Sequence, residues 1–297
     1  MIERIHLSIL RAIETQGSLT AAADSLHLTQ SALSHSIKKL ERQVGVVLWE
    51  KDGRAIRLTQ AGHYLLKSAN RLLPQFEHID SVLNQFAKGE KGSLRIGMEC
   101  HPCYQWLLRV VEPYLEQYSG IDVDVKQRFQ FGGLAALFNY DIDVLVTPDP
   151  LQKKGVNFYP VFDYELVLVT SNKHNLAVKK SVVAEDLANE VLLTYPVETA
   201  RLDLFTQFLL PASVSPKKVK TIEATEVMLQ MVAAGRGVAA LPSWLAEDYA
   251  DKLAISRVRC GKAGIHKAIH LGIRDGEERF QHVQSFLALA KNTRFRQ

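Results

Sequence analysis

From Leu65 to Phe86 the apolar residues Leu65, Ala69, Leu72, Phe76, Ile79, Leu83 and Phe86 fall at strictly alternating spacings of four and three. That is the repeat of a helix whose apolar seam meets a partner helix. Thr59 is a suitable N-cap, and a helix of about 27 residues running to Ala87 would span roughly 40 Å. Such a rod separates the N-terminal segment from the C-terminal one, so the chain must fold in parts, as its 297 residues allow. The seam predicts a homodimer, with a homotetramer as an extension; packing of the same stripe onto the helix's own domain is the competing reading. Pro74 removes a backbone donor and clashes with the carbonyl of Asn70. Because the spacing continues beyond it, a kink is expected rather than a stop. Residues 88–92, Lys88-Gly89-Glu90-Lys91-Gly92, then read as a hinge.

Residues 1–58, ahead of the rod, read as a winged helix-turn-helix. Leu7, Leu10 and Ile13 have helical spacing, ended by Gly17. Ser18 suits the cap of a short second helix, Leu19 to Leu26, whose alanines allow close approach. After His27-Leu28-Thr29 a third helix begins at Gln30 behind Thr29, with Leu33, Ile37, Leu40 and Val44 on its inner face. Two helices joined by a tight turn form a DNA-reading arrangement whose second helix enters the major groove by its N-terminal end. Thr29, Gln30, Ser31, Ser34, His35 and Lys38 lie along its outer edge. Gln30 suits bidentate reading of adenine, the serines are less selective, and Lys38 suits a phosphate. A solvated structural helix would look the same in isolation. The segment after Val47 favours the DNA reading: apolar runs flank Asp52-Gly53, a strong hairpin signal, and the hairpin offers Lys51, Arg54 and Arg57 as a basic wing.

The string Thr29-Gln30-Ser31-Ala32-Leu33-Ser34-His35-Ser36-Ile37-Lys38-Lys39-Leu40-Glu41, followed by Gly45, by Glu50-Lys51-Asp52-Gly53-Arg54 and by Thr59-Gln60-Ala61-Gly62, resembles the N-terminal signature of LysR-type transcriptional regulators. Many members carry arginine where this chain has His35. The resemblance implies a transcription regulator, not an enzyme, whose partners are promoter DNA, a second copy of itself, a small-molecule effector and RNA polymerase.

From Leu94 onward, strand-like and helix-like segments alternate, which argues for α/β units with mainly parallel sheets. Strand-like segments lie at Leu94–Met98, Ile121–Val125, Ile142–Val146, from Leu166, and at Val191–Leu193, Val238–Leu241 and Ala268–Leu271; Tyr104–Tyr118 is helix-like. The family resemblance implies two Rossmann-like subdomains similar to periplasmic binding proteins, residues 93–163 with 269–297 and residues 164–268. Ligands of open α/β sheets bind beyond strand C-terminal ends, and interdomain clefts are favoured. That points to Glu99, Cys100, His101 and Cys103 after one strand, Thr147 after another, and Tyr195 on the facing side. Cys100 to Cys103 has three readings: small residues lining a cleft, a Cys-x-x-Cys redox pair, or a metal site with His101, which would want a fourth ligand. Cys260 is isolated and suits packing as a small hydrophobe.

In this half, residues 99–107, 162–165, 195–197, 201–203 and 229–234 resemble the methionine-biosynthesis branch of the same family. That resemblance implies homocysteine as co-effector and methionine-pathway promoters as targets. The chemistry is compatible: Arg201 could clamp a carboxylate with its planar fork, and Glu99 or Glu226 could face an ammonium. Arg201 pairing with Asp203 or Glu198 on the surface is the alternative.

Two other functional classes remain open. One is a thiol or metal sensor using Cys100 and Cys103. The other is an enzyme or solute-binding protein with a DNA-binding appendage, which the chain does not favour because it carries no Gly-rich phosphate loop, Gly-x-Ser-x-Gly elbow or His-Glu-x-x-His motif. No cofactor or resident metal is expected. The net charge of +4 neither demands nor excludes nucleic acid. The start of the chain lacks a basic segment followed by an apolar run, and no uninterrupted apolar run reaches about 18 residues. A cytoplasmic protein with no membrane partner is expected.

Overall fold

The computed structural model describes residues 2–52, 55–87, 92–100, 102–126 and 132–293. It divides into two compact units, Met1–Lys91 with Asn139–Asp141, and Gly92–Phe138 with Ile142–Gln297.

The first unit contains α1 (Arg4–Gln16), α2 (Leu19–Ser25), α3 (Gln30–Val44), a hairpin of β1 (Trp49–Asp52) and β2 (Ala55–Leu58), and α4 (Gln60–Ala87). Local chemistry sets the helix ends. Gly17 ends α1 at φ 70°, the Ser18 hydroxyl accepts from the Ala21 amide at 3.2 Å, and the Thr29 hydroxyl accepts from the Ala32 amide at 3.2 Å. Leu7, Ile9, Leu10, Ala22, Ala23, Leu33, Ile37 and Leu40 close into one core with Leu48 and Leu58 of the hairpin. Val44, assigned by its spacing to the same inner face, is exposed at the last turn of α3.

Helix α4 continues through Pro74 for 28 residues. Its seam divides. Leu65 and Ala69, with Leu66 and Leu73, are buried in this unit's own core, whereas Phe76, Ile79 and Leu83 are 40%, 52% and 60% exposed. The expectation of one continuous partner-facing stripe is thus corrected: the first half of the seam packs into this unit's own core, and Phe76, Ile79 and Leu83 are exposed. The Phe86 side chain lies outside the described residues, as do the hinge residues 88–91. Ion pairs from Arg4 to Asp80 (2.6 Å) and from Arg11 to Glu77 run between α1 and α4, and the Arg4 guanidinium lies 5.5 Å from the Phe76 ring centre.

The hairpin is joined to α4 through Thr59. Its amide donates to the Leu48 carbonyl at 3.0 Å, and its hydroxyl donates to the Val47 carbonyl at 2.7 Å and accepts from the Gly62 amide at 3.1 Å. A Cβ on Gly62 would lie 2.0 Å from the Leu48 carbonyl oxygen, so only glycine lets the helix approach this closely. Gly62→Ala is expected to cost about 1–3 kcal/mol through overpacking against fixed backbone, read as a lower urea midpoint for the first unit; an unchanged midpoint would contradict that packing.

The second unit runs β3 (Ser93–Met98), α5 (Cys103–Gln117), β4 (Asp122–Lys126), α6 (Gly133–Phe138), β5 (Val144–Thr147), β6 (Val156–Ser171), β7 (Ser181–Val182), β8 (Val191–Thr194), β9 (Lys218–Thr221), α7 (Thr225–Ala233), β10 (Val238–Pro242), α8 (Ser243–Ala250), β11 (Ile255–Cys260), β12 (Ile265–Arg274) and α9 (Gln281–Asn292). Parallel pairing holds from β4 through β3 to β5 and from β10 through β8 to β9. The expectation of mainly parallel sheets misses the antiparallel pair at the centre, β6 with β12, which runs from Val156↔Arg274 to Leu166↔Ile265. Asn157, Pro160 and Asp163 break the apolar pattern of β6, so sequence marks a strand only from Leu166.

These two strands feed both halves of the unit. The end of β12 pairs with β5, and the end of β6 pairs with β10 and β11. One lobe is built on Leu94, Ile96, Trp106, Leu107, Leu271 of β12 and Phe286 of α9, and the other on Leu168, Leu192, Met228, Val238 and Leu241. The expected lobe boundaries at 163/164 and 268/269 fall inside the two shared strands.

Beneath the first lobe, Asp143 is almost fully buried. It accepts from the Arg95 amide (2.9 Å), Arg95 Nε (3.0 Å), Arg95 Nη2 (2.7 Å) and Arg274 Nη2 (2.9 Å). Arg274 also donates to the carbonyls of Leu137 and Ile142 and to Glu277. Burial pushes the Asp143 carboxyl up, but the Arg95 hydrogen bonds and the two guanidinium charges outweigh it and hold it below the ordinary range.

Candidate effector cavity and DNA-reading face

Leu33, Ile37 and Leu40 hold α3 from behind, and its opposite edge presents Gln30, Ser31, His35 and Lys38 to solvent with Ser34 half-buried. Thr29 is committed to capping, and its hydroxyl lies 3.1 Å from that of Ser31. Arg57 is exposed on β2. The Lys51 side chain, Gly53 and Arg54 lie outside the described residues.

In the second unit a cavity of about 120 Å³ opens beyond the C-terminal ends of β3, β5, β8 and β10. That is several-fold more than the roughly 10–15 Å³ needed to hold one water, so the cavity admits a small ligand. Of the residues expected there, Glu99, Cys100, Tyr195 and Arg201 line it. His101 lies outside the described residues. Three others are not in the lining. Cys103 is buried in the first lobe's core. Thr147 is buried, and its hydroxyl accepts from the Asp149 amide at 3.1 Å, shaping the loop rather than facing the cavity. Glu226 lies outside, accepting from Gln105 and from the Tyr249 hydroxyl, both at 3.2 Å.

Glu99 accepts from the Gly133 amide at 3.0 Å. Tyr195 bonds the Thr225 hydroxyl at 2.8 Å, and burial pushes its phenol up. Sequence reasoning missed one charged group in the cavity wall. Lys267 of β12 reaches Asp149 at 2.5 Å and Asp203 at 2.6 Å, with only 11% of its side chain exposed. Burial lowers its pKa, but the two carboxylates win and raise it. Tyr164, cross-strand from Lys267, is pushed up by burial and by the same carboxylates. Asp203 lay two residues from a candidate, Arg201; nothing local marks Lys267, which reads as an ordinary strand residue. Leu204, Phe205, Met228 and Val197 supply apolar wall.

Cys100 and Cys103 form a disulfide with Cα atoms 5.4 Å apart. Neither sulfur is then a thiolate ligand, and among the described residues no cluster of three or more His, Cys, Asp or Glu could hold a metal. Cys260 is buried, and burial pushes its thiol up to about 12. No helix among the described residues is long and apolar enough to cross a membrane.

A family model for the bacterial regulatory helix-turn-helix protein of the lysR family matches residues 5–63, and one for the LysR substrate binding domain matches residues 87–294. The chain is a LysR-type transcriptional regulator. The HTH-type transcriptional regulator MetR of Escherichia coli is 39% identical to this LysR-type regulator over 292 residues, covering 98% of this chain and 90% of that protein. MetR of Haemophilus influenzae is 33% identical over 294 residues, covering 99% and 95%. The regulatory domain of MetR from N. meningitidis superposes with a TM-score of 0.62 at 30% identity, covering 68% of this chain and 93% of that one. Full-length CbnR in complex with its target DNA shares the fold, with a TM-score of 0.64 at 21% identity over 98% and 99% of the two chains.

Proposed function

We propose that this LysR-type regulator controls methionine-biosynthesis promoters as a dimer or tetramer and takes homocysteine in the cavity of its second unit. The observation that carries the reading is the cavity's charge pattern: the cations Arg201 and Lys267 and the carboxylates Glu99, Asp149 and Asp203 share one small space with apolar wall. A zwitterionic amino acid with a short apolar tail matches it, its carboxylate on the cations and its ammonium on a carboxylate. Among such molecules, homocysteine is the one that the resemblance to the methionine-biosynthesis branch implies. Lys267 sits on a strand shared by both lobes, so a ligand that takes its charge shifts the lobes' relative populations, provided it binds the two arrangements unequally. RNA polymerase is the partner that would read that shift. Calorimetry of the full chain with homocysteine, methionine and cysteine tests the effector: homocysteine should bind most tightly, and absence of binding by homocysteine would overturn it.

On DNA, Gln30, Ser31, Ser34 and His35 face base edges, while Thr29, Lys38, Lys51, Arg54 and Arg57 serve position and phosphates. Gln30→Ala is expected to cost about 1–3 kcal/mol of discrimination at one base pair, whereas Arg57→Ala weakens binding on all sequences and lowers its salt dependence. Equal base preference for wild type and Gln30→Ala would contradict the recognition-helix assignment. The Cys100–Cys103 disulfide favours a thiol-responsive second reading over a metal-binding one.

A further inference from the structure

The two sulfurs of the disulfide are unequally placed. Cys100 lines the cavity and is half-buried, whereas Cys103 is buried in the core as the first residue of α5. The Cys103 amide points at Cys100 Sγ at 3.1 Å. A thiol entering the cavity therefore reaches Cys100 first. Thiol–disulfide exchange proceeds by thiolate attack on one sulfur with departure of the other, and access decides which is attacked. The departing Cys103 thiolate would form at the N-terminus of a 15-residue helix, where partial positive charge stabilises it.

We propose that this disulfide is an exchange site for a small amino-acid thiol bound in the cavity, which forms a mixed disulfide on Cys100. The proposal rests on the homocysteine reading. In the first step the ligand thiolate bonds to Cys100 Sγ, the Cys100–Cys103 bond breaks, and its electron pair leaves on Cys103, which takes up a proton. A second ligand thiolate attacking the mixed disulfide releases the ligand's symmetrical disulfide and leaves both cysteines reduced. Two ligand thiols are oxidised and one protein disulfide is reduced. The regulator thereby answers the redox state of its own ligand as well as its concentration.

The test uses the oxidised full chain with homocysteine near pH 8, quenched in acid and alkylated. The expected product carries one homocysteine on Cys100, with Cys103 recovered as an alkylated thiol, and glutathione, whose thiol-bearing residue has neither a free ammonium nor a free carboxylate for the cavity's charges, reacts at least about tenfold more slowly. Homocysteine on Cys103, or an equal rate with glutathione, overturns the proposal. Retention of labelled homocysteine by equilibrium dialysis at about pH 5.5, where thiolate is scarce, separates the two readings. Retention there with no adduct at pH 8 overturns exchange and leaves the effector reading standing; no retention and no adduct overturns both.

Discussion

Asp143→Ala is expected to destabilise the second unit by about 3–5 kcal/mol, because it removes the buried carboxylate on which four hydrogen bonds from Arg95 and Arg274 converge. Arg95 and Arg274 both bond this carboxylate, and Arg274 is itself almost fully buried. Arg274 retains Glu277 and two backbone carbonyls, so the loss falls on the bonds that Arg95 and Arg274 share through Asp143. The pH dependence follows from sign. The folded Asp143 carboxyl lies below its ordinary value, so its contribution is present above the unfolded carboxylate pKa of about 3.9 and is lost as pH falls through the folded value. Urea unfolding at neutral pH should show the full loss, and the gap between variant and wild type should shrink in acid. A loss below about 1 kcal/mol at neutral pH would contradict the network's role.

Lys267→Met is expected to weaken homocysteine binding by about 30-fold or more, the scale of truncating one partner in a desolvated charge cluster. The substitution removes a cation from the cavity and leaves Asp149 and Asp203 facing each other unneutralised. Lys267→Arg, which keeps the charge, should recover much of the binding. Calorimetry beside a thermal melt separates loss of binding from loss of fold, and unchanged affinity in a folded Lys267→Met protein would remove Lys267 from the site.

Much of the first unit is legible in the sequence because its signals are local. Ser18, Thr29 and Gly17 mark the helix ends, and Leu33, Ile37 and Leu40 mark the inner face of α3. The division of the α4 seam is not legible, since Leu65 and Leu83 obey the same spacing and only the packing of the first unit's core distinguishes them. In the second unit, residues following apolar strands could be named as cavity candidates, as Glu99, Cys100 and Tyr195 show. Lys267 could not, because its role depends on Asp149, which follows β5, and on Asp203, beyond β8, both distant in sequence and brought to it only by the folded unit. Thr147 and Glu226 fail to line the cavity for the complementary reason: their side chains are committed to neighbours that spacing does not reveal.

The most direct measurement is nuclease footprinting of the full-length protein on a methionine-pathway promoter, at fixed salt, with and without homocysteine. Two protected half-sites about one or more helical turns apart, with a pattern that changes when homocysteine is added but not when the same concentration of alanine is, are expected. No protection at modest salt, or a pattern indifferent to homocysteine, would contradict a regulator that reads DNA through α3 and its effector through the Lys267 cavity.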